Sequence, residues 1–284
     1  MIRSQRYASD NYLFPLSQEI ETAIERVKMA YGFSQQLNLG KLYVCFSGGK
    51  DSVAVYGICN LAAKELGVPI LGMCDFEYNL TTVDPPELIW FIREHFPFVH
   101  FNYPKTTMWQ LIEKKGLPPT RLMRYCCSEL KEHGGKGRFV LTGVRREESL
   151  KRSNRGEFME WTHSGEKILN ADNAEDRRIL EHCIPKQKYI CNPIVDWSEE
   201  TVWRFIMQEH LPYCGLYDKG MNRIGCIGCP MASIKDREKE FFHYPKYKEQ
   251  YIRSFEKMLK LRKEQGKETT WKTGKEVFDA WMSY

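Results

Sequence analysis

The stretch "KLYVCFSGGKDSVAVYGICNLAAKELG", residues 41 to 67, constrains the fold more than any other. A short apolar, β-rich run ends at Gly48-Gly49. An apolar-periodic segment follows, with Asp51 or Ser52 as its cap and Gly67 as its stop. This is a strand, tight turn and helix unit. Its glycines let backbone N–H groups approach an anion, the helix points its positive end at the same place, and Ser47, Lys50 and Ser52 add donors. A Walker A loop needs a glycine where this chain has Val44 and a Ser or Thr where it has Asp51, so a P-loop NTPase is excluded. A βα turn with no ligand is the plain alternative, against which the lysine and two serines weigh.

The pattern repeats along the chain. Apolar positions at helical spacing (Ile20, Ile24, Val27, Ala30, Tyr31) predict a helix within 16–37. "VPILGMCD" reads as a strand, 84–96 as a helix, "FVHFNY" as a strand, 106–115 and 126–133 as helices, and "RFVLTGV" as a strand. After "YICNPIVDW" come a helix at 198–209, a cysteine-bearing loop and helices near 234–264 and 273–283. Residues 165–187, polar with "NADNAEDRR", read as an excursion or loop. Such alternation predicts an α/β fold, a mostly parallel sheet with helices on both faces and the ligand at the carboxyl ends of the strands. The expected organisation is an N-terminal helical segment (1–40), a nucleotide-binding domain with a cysteine cluster (41–231) and a C-terminal helical extension (232–284).

With 42% hydrophobic content over 284 residues the chain can bury a large core. No secretory-signal order and no apolar run of membrane length is read, so the expectation is a soluble, cytoplasmic protein without a membrane partner. Ten cysteines in that setting argue for thiol, metal or cluster chemistry over a disulfide scaffold. The net charge of +5 is compatible with an anionic ligand but too mild to diagnose nucleic-acid binding.

The signature S-G-G-x-D-S, met at Ser47, Gly48, Gly49, Asp51 and Ser52, resembles the PP-loop (adenine nucleotide alpha hydrolase-like) family of ATP pyrophosphatases, whose fold is Rossmann-like. The resemblance implies that the loop holds the β and γ phosphates while ATP is cut between α and β, with AMP passing to a substrate. Three further stretches are similar to the branch of phosphoadenosine phosphosulfate (PAPS) and adenosine phosphosulfate (APS) reductases: "CCSELK" at 126–131, "GVRREESLKR" at 143–152, and "NPIVDWSEETVWRFI" through "LPYCGLYDKGMNRIGCIGCP". The branch pattern G-x-R-x-x-E-S-x-x-R maps onto Gly143, Arg145, Glu148, Ser149 and Arg152. Guanidinium groups suit phosphate or sulfate, so Arg145 and Arg152 are read as holding an anionic partner; Arg146 and Lys151 fit an exposed mixed-charge helix start. Lys50, Asp51, Arg145 and Arg152 are the expected catalytic residues. Ser47, Gly48, Gly49, Lys50, Ser52, Asp75, Lys131 and Gly143 are the expected nucleotide contacts; Asp75 and Glu77, read as a short acidic loop after the second strand, are placed to meet a ribose or a magnesium ion, with a helix cap as the equal alternative.

Cys226 and Cys229 form a C-x-x-C with Gly225 before, Gly228 between and Pro230 after, a turn that lets two thiolates grip one metal. Cys214 lies twelve positions upstream of Cys226, and Cys126-Cys127 begins the helix that carries Lys131. Resemblance to the APS reductases implies a 4Fe-4S cluster held by a Cys-Cys pair and a distant C-x-x-C; zinc also suits four thiolates. The expected ligands are Cys127, Cys214, Cys226 and Cys229, with Cys126 substituting for Cys214 if the APS reductase arrangement holds. Cys45, Cys59 and Cys74 read as core residues, and Cys183 and Cys191 have no assignment. No histidine falls in a zinc-protease or base-nucleophile spacing.

The resembling reductases attack sulfur with a cysteine in a tail motif, Glu-Cys-Gly-Leu-His, whereas this sequence has no cysteine after Cys229 and keeps Lys50 in an intact diphosphate cradle. The expectation is therefore an enzyme that cleaves ATP, with Mg²⁺, between the α and β phosphates, adenylates an acceptor and passes sulfur to it. Nucleic acid is one candidate acceptor, and a sulfur-donor protein is a further expected partner. Two alternatives stay open. One is an APS/PAPS reductase that uses a non-standard thiol. The other is a non-catalytic, cluster-bearing nucleotide-binding subunit that reads nucleic acid through Lys246, Lys248, Arg253, Lys257, Lys260, Arg262 and Lys263, a run more often a solvated helix face.

Overall fold

The computed structural model describes residues 16–131, 134–148, 155–162, 165–169 and 188–283. Seven strands, β1 (Leu42–Cys45), β2 (Cys74–Asn79), β3 (His100–Asn102), β4 (Phe139–Leu141), β5 (Phe158–Thr162), β6 (Gly165–Leu169) and β7 (Lys188–Cys191), form one sheet in the order β3-β2-β1-β4-β7-β5-β6. β1 pairs in parallel with β2 and β4, and β4 with β7; β5 runs antiparallel to both β7 and β6. The central strands are short and apolar. All three residues of β4 are buried, as are Leu42, Tyr43 and Val44 of β1, which is the pattern of strands covered on both faces. The register pairs Cys45 with Glu77, so the carboxyl end of β1 lies beside that of β2.

The helices are α1 (Ser17–Gln36), α2 (Lys50–Glu65), the single turn α3 (Ile70–Met73), α4 (Pro86–His95), α5 (Met108–Lys115), α6 (Tyr125–Leu130), α7 (Glu199–Gln208), α8 (Ile234–His243), α9 (Pro245–Glu264) and α10 (Gly274–Met282). The chain divides into two compact units, each built from separated stretches.

The first unit comprises 1–78, 90–100 and 134–222. Its α1 is fastened by the buried Arg26, which donates to both oxygens of Asp196 (2.8 and 2.9 Å), to Glu157 (3.1 Å) and to the carbonyl of Pro193 (2.9 Å). That set meets the need of a buried guanidinium for full pairing. α2 packs on α7 so closely that a Cβ at Gly57 would lie 2.6 Å from Leu211 and 2.7 Å from Phe205. Phe46, just past β1, packs on Phe96 with ring centroids 4.8 Å apart, and Tyr56 stacks on Phe98 at 5.6 Å.

The second unit comprises 79–89, 101–133 and 223–284. α5 opens with a capping box at Thr107 and Gln110 and stops at Gly116, whose φ is +69°. α9 and α10 enclose Phe241, Tyr251, Phe255, Phe278 and Trp281, whose rings meet at centroid distances of 4.9 to 6.2 Å. Arg237 is wholly buried there, with its guanidinium over the Trp281 ring (4.9 Å) and one bond to the Trp281 carbonyl (2.8 Å).

Several elements differ from the sequence expectation. Pro69 closes a helical turn by accepting from the N–H groups of Gly72 (2.8 Å) and Met73 (3.1 Å), so the strand read at "VPILGMCD" begins only at Cys74. Residues 165–169 are a hairpin strand rather than a loop, paired through all five residues with β5; 170–187 lie outside the described residues. The helix read over 126–133 ends at Leu130, and Lys131 is its C-cap. The long helix near 234–264 is two helices, broken at Tyr244-Pro245, because proline cannot continue the preceding ladder. Cys59 and Cys74 are buried, but Cys45 is exposed at the end of β1. Among the described residues no helix is long and apolar enough to cross a membrane.

Candidate functional site

Two clusters emerge, one in each unit. In the first, β1 delivers the chain into a turn in which Gly48 has φ +69°, a conformation that side chains disfavour. Gly49 is the N-cap of α2, with no side-chain cap, so neither Asp51 nor Ser52 caps this helix as expected. Instead Ser52 Oγ donates to the Gly49 carbonyl (2.8 Å) and lies 3.2 Å from Ser47 Oγ, which accepts at 3.4 Å from the Gly49 N–H. The Lys50 N–H donates to the hydroxyl of Tyr217 (2.9 Å).

The charges at this turn alternate. The Lys50 ammonium, buried, sits 3.2 Å from Asp51, whose other oxygen accepts from Arg145 Nε at 2.7 Å. Arg145, 3% exposed, also donates to Glu147 (2.8 Å) and to the Trp197 carbonyl (3.2 Å), and Glu147 accepts from the Glu199 N–H (2.6 Å). Pairing of this kind offsets the several kcal/mol that an isolated buried charge costs. Arg145 thus acts on the turn through Asp51, with its Nε and Nη1 already engaged by protein groups. Gly143 has a steric reason to be glycine: a Cβ there would lie 3.0 Å from the Asp51 carbonyl carbon.

The structure brings Ser47, Gly48, Gly49, Lys50, Asp51, Ser52, Gly143 and Arg145 together. Asp75 stands apart, opposite Tyr43 toward the amino end of β1, where Arg138 (2.6 Å) and Lys41 (3.5 Å) hold it; Arg138 also comes within 3.8 Å of Glu77. Arg152, with Ser149 and Lys151, lies outside the described residues, as does Cys183. Tyr217, which reading of the sequence missed as a site residue, was within the quoted "LPYCGLYDKG"; its hydroxyl on a loop N–H is a tertiary contact that no spacing announces. Cys214, buried, belongs to this same unit.

In the second unit the C-x-x-C turn is shaped residue by residue. The Ile227 N–H donates to the Val83 carbonyl (2.8 Å), Tyr251 OH donates to the Ile227 carbonyl (2.9 Å), and the Gly228 N–H donates to Glu240 (2.7 Å). Gly228 has φ +72°, and a Cβ there would lie 2.6 Å from the Phe241 ring. Arg121 donates to the Pro230 carbonyl at 3.0 Å, bringing the segment before Cys126 to the segment after Cys229. Cys126, Cys127, Cys226 and Cys229 share one electrostatic neighbourhood.

Its charge balance is uneven. A hydrogen bond from Cys126, with Arg124 and Lys131 nearby, pulls the Cys127 thiol down to about 5, while the same bond and burial push Cys126 up. Burial raises Cys226, opposed by Lys131 and by Thr81, whose hydroxyl lies 3.4 Å from the sulfur. Lys131 leaves part of its chain exposed, but its ammonium is held up by Cys226, Asp84 and Cys127. Burial lifts Glu240 to about 7 against its bond from Gly228. Four sulfurs beside a retained cation fit a soft metal centre such as a 4Fe-4S cluster or zinc by the chemistry of the donor set. Among the described residues, however, no three Cys, His, Asp or Glu side chains are already drawn together as a closed metal site.

The phosphoadenosine phosphosulfate reductase domain family matches residues 41–232. An uncharacterized protein of Methanocaldococcus jannaschii is 25% identical over 264 residues, covering 88% of this chain and 46% of that protein. A second from the same organism is 30% identical over 197 residues, 66% of this chain and 41% of that protein. The chain thus spans about half the length of these relatives. An adenosine 5'-phosphosulfate reductase of Bacillus cereus (strain Q1) is 24% identical over 242 residues, 81% of this chain and 89% of that protein. Solved structures similar in fold include a phosphoadenylyl-sulfate reductase from Candida auris (TM-score 0.45, 17% identity, 70% of this chain and 87% of that one). Another is a U34-tRNA thiolase from Methanococcus maripaludis with its 4Fe-4S cluster (TM-score 0.40, 12% identity, 89% and 82%). With residues 41–232 of its 284 matched, the chain belongs to the phosphoadenosine phosphosulfate reductase domain family.

Proposed function

We propose that the chain cleaves ATP between its α and β phosphates, transfers the adenylyl group to an acceptor and takes part in sulfur delivery to it. The observation that carries this reading is the turn from Ser47 to Ser52: a positive-φ glycine, two serine hydroxyls and a buried lysine at the start of a sixteen-residue helix. Such a helix start favours anions through its unsatisfied N–H groups and dipole. ATP would enter with its magnesium ion and place its β and γ phosphates on the Gly49 and Lys50 N–H groups, taking over the donor that Tyr217 now occupies. An acceptor atom attacks the α phosphorus, the bond from the α phosphorus to the bridging oxygen breaks, and pyrophosphate leaves with that electron pair. Lys50 neutralises the charge that builds on it, while Arg145 keeps Asp51 from collapsing fully onto the ammonium.

Cys126, Cys127, Cys226 and Cys229 would hold the cluster, and Cys214, in the first unit, is the expected ligand that Cys126 replaces in this reading. A bound cluster would supply sulfur-ligating iron and one-electron redox capacity. Lys131 holds positive charge against Cys226, and the hydrogen bond from Cys126 with Arg124 and Lys131 nearby favours the thiolate form of Cys127. The test is product analysis with labelled ATP: AMP and pyrophosphate are expected, at least about 100-fold slower in Lys50→Ala. ADP as product, or no turnover with any acceptor, overturns the reading. Anaerobic absorption spectra with iron, sulfide and zinc analysis test the metal; a colourless protein with stoichiometric zinc rules out the cluster.

A second reading, an APS or PAPS reductase using a non-standard thiol, is favoured by the low Cys127 pKa and by the named reductase among the relatives. It requires sulfite release from either sulfonucleotide with a thiol reductant, and absence of sulfite with both removes it.

A further inference from the structure

The C-terminal half of α9 and the segment 266–272 that returns to α10 line an open cavity of about 810 Å³ in the second unit. Its walls carry five lysines and one indole against two carboxylates. Lys257 is engaged by Glu113 (3.4 Å), and the Glu256 carboxylate accepts from the Gly274 N–H. The ammonium groups of Lys260, Lys263, Lys267 and Lys272 have no carboxylate partner among the described residues. Lys263, in the last turn of α9, has an ordinary reason to be there, since cations favour helix C-termini. Lys267 and Lys272 lie beyond the helix and gain nothing from that effect, yet they line the same cavity.

Trp271 completes the wall. It is neither core nor among the exposed large apolar residues, and its ring packs against no other ring and under no cation among the described residues. Its backbone N–H donates to Thr269 Oγ1 at 3.3 Å. A half-buried indole lining a cavity among cations without carboxylate partners is suited to a ligand that is anionic along its length and flat in its side groups.

We propose that this cavity binds a single-stranded nucleic-acid segment, its phosphates on Lys260, Lys263, Lys267 and Lys272 and a base stacked on Trp271. A bilayer needs a projecting apolar anchor, which the recessed Trp271 is not. A compact triphosphate is favoured at a helix N-terminus, whereas this cavity adjoins the C-terminal end of α9 and spreads its cations through an open groove. The site goes beyond the adenylation reading and does not rest on it: AMP formation and strand binding are measured separately, and either can fail alone.

The test is fluorescence anisotropy of the full chain with labelled oligothymidylate and oligouridylate of about 20 nucleotides, between about 50 and 200 mM salt. Binding should fall with a slope of about −3 in log K against log salt, the value for four phosphate contacts on a single strand. Lys263→Ala with Lys267→Ala should reduce that slope by about 1.4. Trp271→Ala should weaken binding about ten-fold with the slope unchanged, and Trp271→Phe should recover most of it. Circular dichroism and thermal melting confirm that the variants fold, since all three positions lie outside the core. The proposal is overturned if neither oligonucleotide binds at the lower salt, if folded variants bind like the parent, if ATP displaces the strand at equal concentration, or if only anionic phosphatidylserine vesicles bind.

Discussion

Tyr217 occupies a backbone donor that the glycine turn would offer to a phosphate, and that gives its hydroxyl two testable consequences. Without nucleotide, Tyr217→Phe leaves the buried Lys50 N–H unpaired and should cost about 1–2 kcal/mol in urea unfolding. With saturating ATP the phosphate replaces the lost acceptor and the deficit should narrow; an equal deficit in both conditions would separate Tyr217 from the ligand. Glu240 offers a pH test. Its carboxyl is held at about 7 by burial, above the ordinary value of about 4.5, so the native state binds a proton that the unfolded chain has released. Stability is therefore fully present below about 4.5 and declines as the pH rises through 7. Glu240→Gln keeps an acceptor for the Gly228 N–H and removes the titration. Its advantage over the parent should be small at pH 5 and reach about 2 kcal/mol by pH 8 in denaturant melts. A difference that stays flat across that window refutes the assignment.

At the scale of elements, the C-x-x-C turn depends on one residue. Gly228→Ala would impose a side chain at φ +72° and press its Cβ onto Phe241 and Trp281, rings that are themselves packed. A loss of about 2–4 kcal/mol in stability and a fall in bound metal per chain are expected; unchanged metal content would show that the turn does not shape the thiol site. The contrast with what the sequence discloses is physical. The Ser47–Ser52 turn is contiguous, so its glycines, hydroxyls and lysine could be read in order, and alternating apolar runs announced the parallel sheet. The β5–β6 hairpin was not legible, because its strands mix charged and apolar residues without a clean alternation, and β6 at the sheet edge is fixed by its pairing with β5. Tyr217, Glu147 and Glu240 were invisible for another reason: each acts through a hydrogen bond to a residue at least 12 positions away or through a charge chain, which no periodicity encodes. The expected ligands Cys127, Cys214, Cys226 and Cys229, with Cys126 as the substitute for Cys214, came from family resemblance, not from any spacing rule.

The whole molecule poses a question about its last fifty residues, which the sequence reads as an extension. The second unit assembles 223–284 with 79–89 and 101–133, so the thiol loop and the C-terminal helices share one core. Tyr251 donates to Ile227 inside the C-x-x-C, Glu240 receives the Gly228 N–H, Trp281 Nε1 donates to Pro119 (2.6 Å) and Arg262 donates to Gly116 (2.9 Å). A chain ending at residue 232 would lose every one of those partners and expose Trp109, which packs on Tyr251 at 5.0 Å. An appendage could be removed with little effect on the thiols; a shared core could not. Trp281→Ala alone should cost about 3–5 kcal/mol, because it empties a site whose ring is 2% exposed. The truncated chain should release Cys126, Cys127, Cys226 and Cys229 to a thiol reagent at the rate of the denatured protein, with Cys59 and Cys74 of the first unit still protected. Protection of all six thiols after truncation would mean that the helices α8 to α10 dock on a thiol loop already formed without them. Their loss of protection, with Cys59 and Cys74 unchanged, would mean that these helices build it.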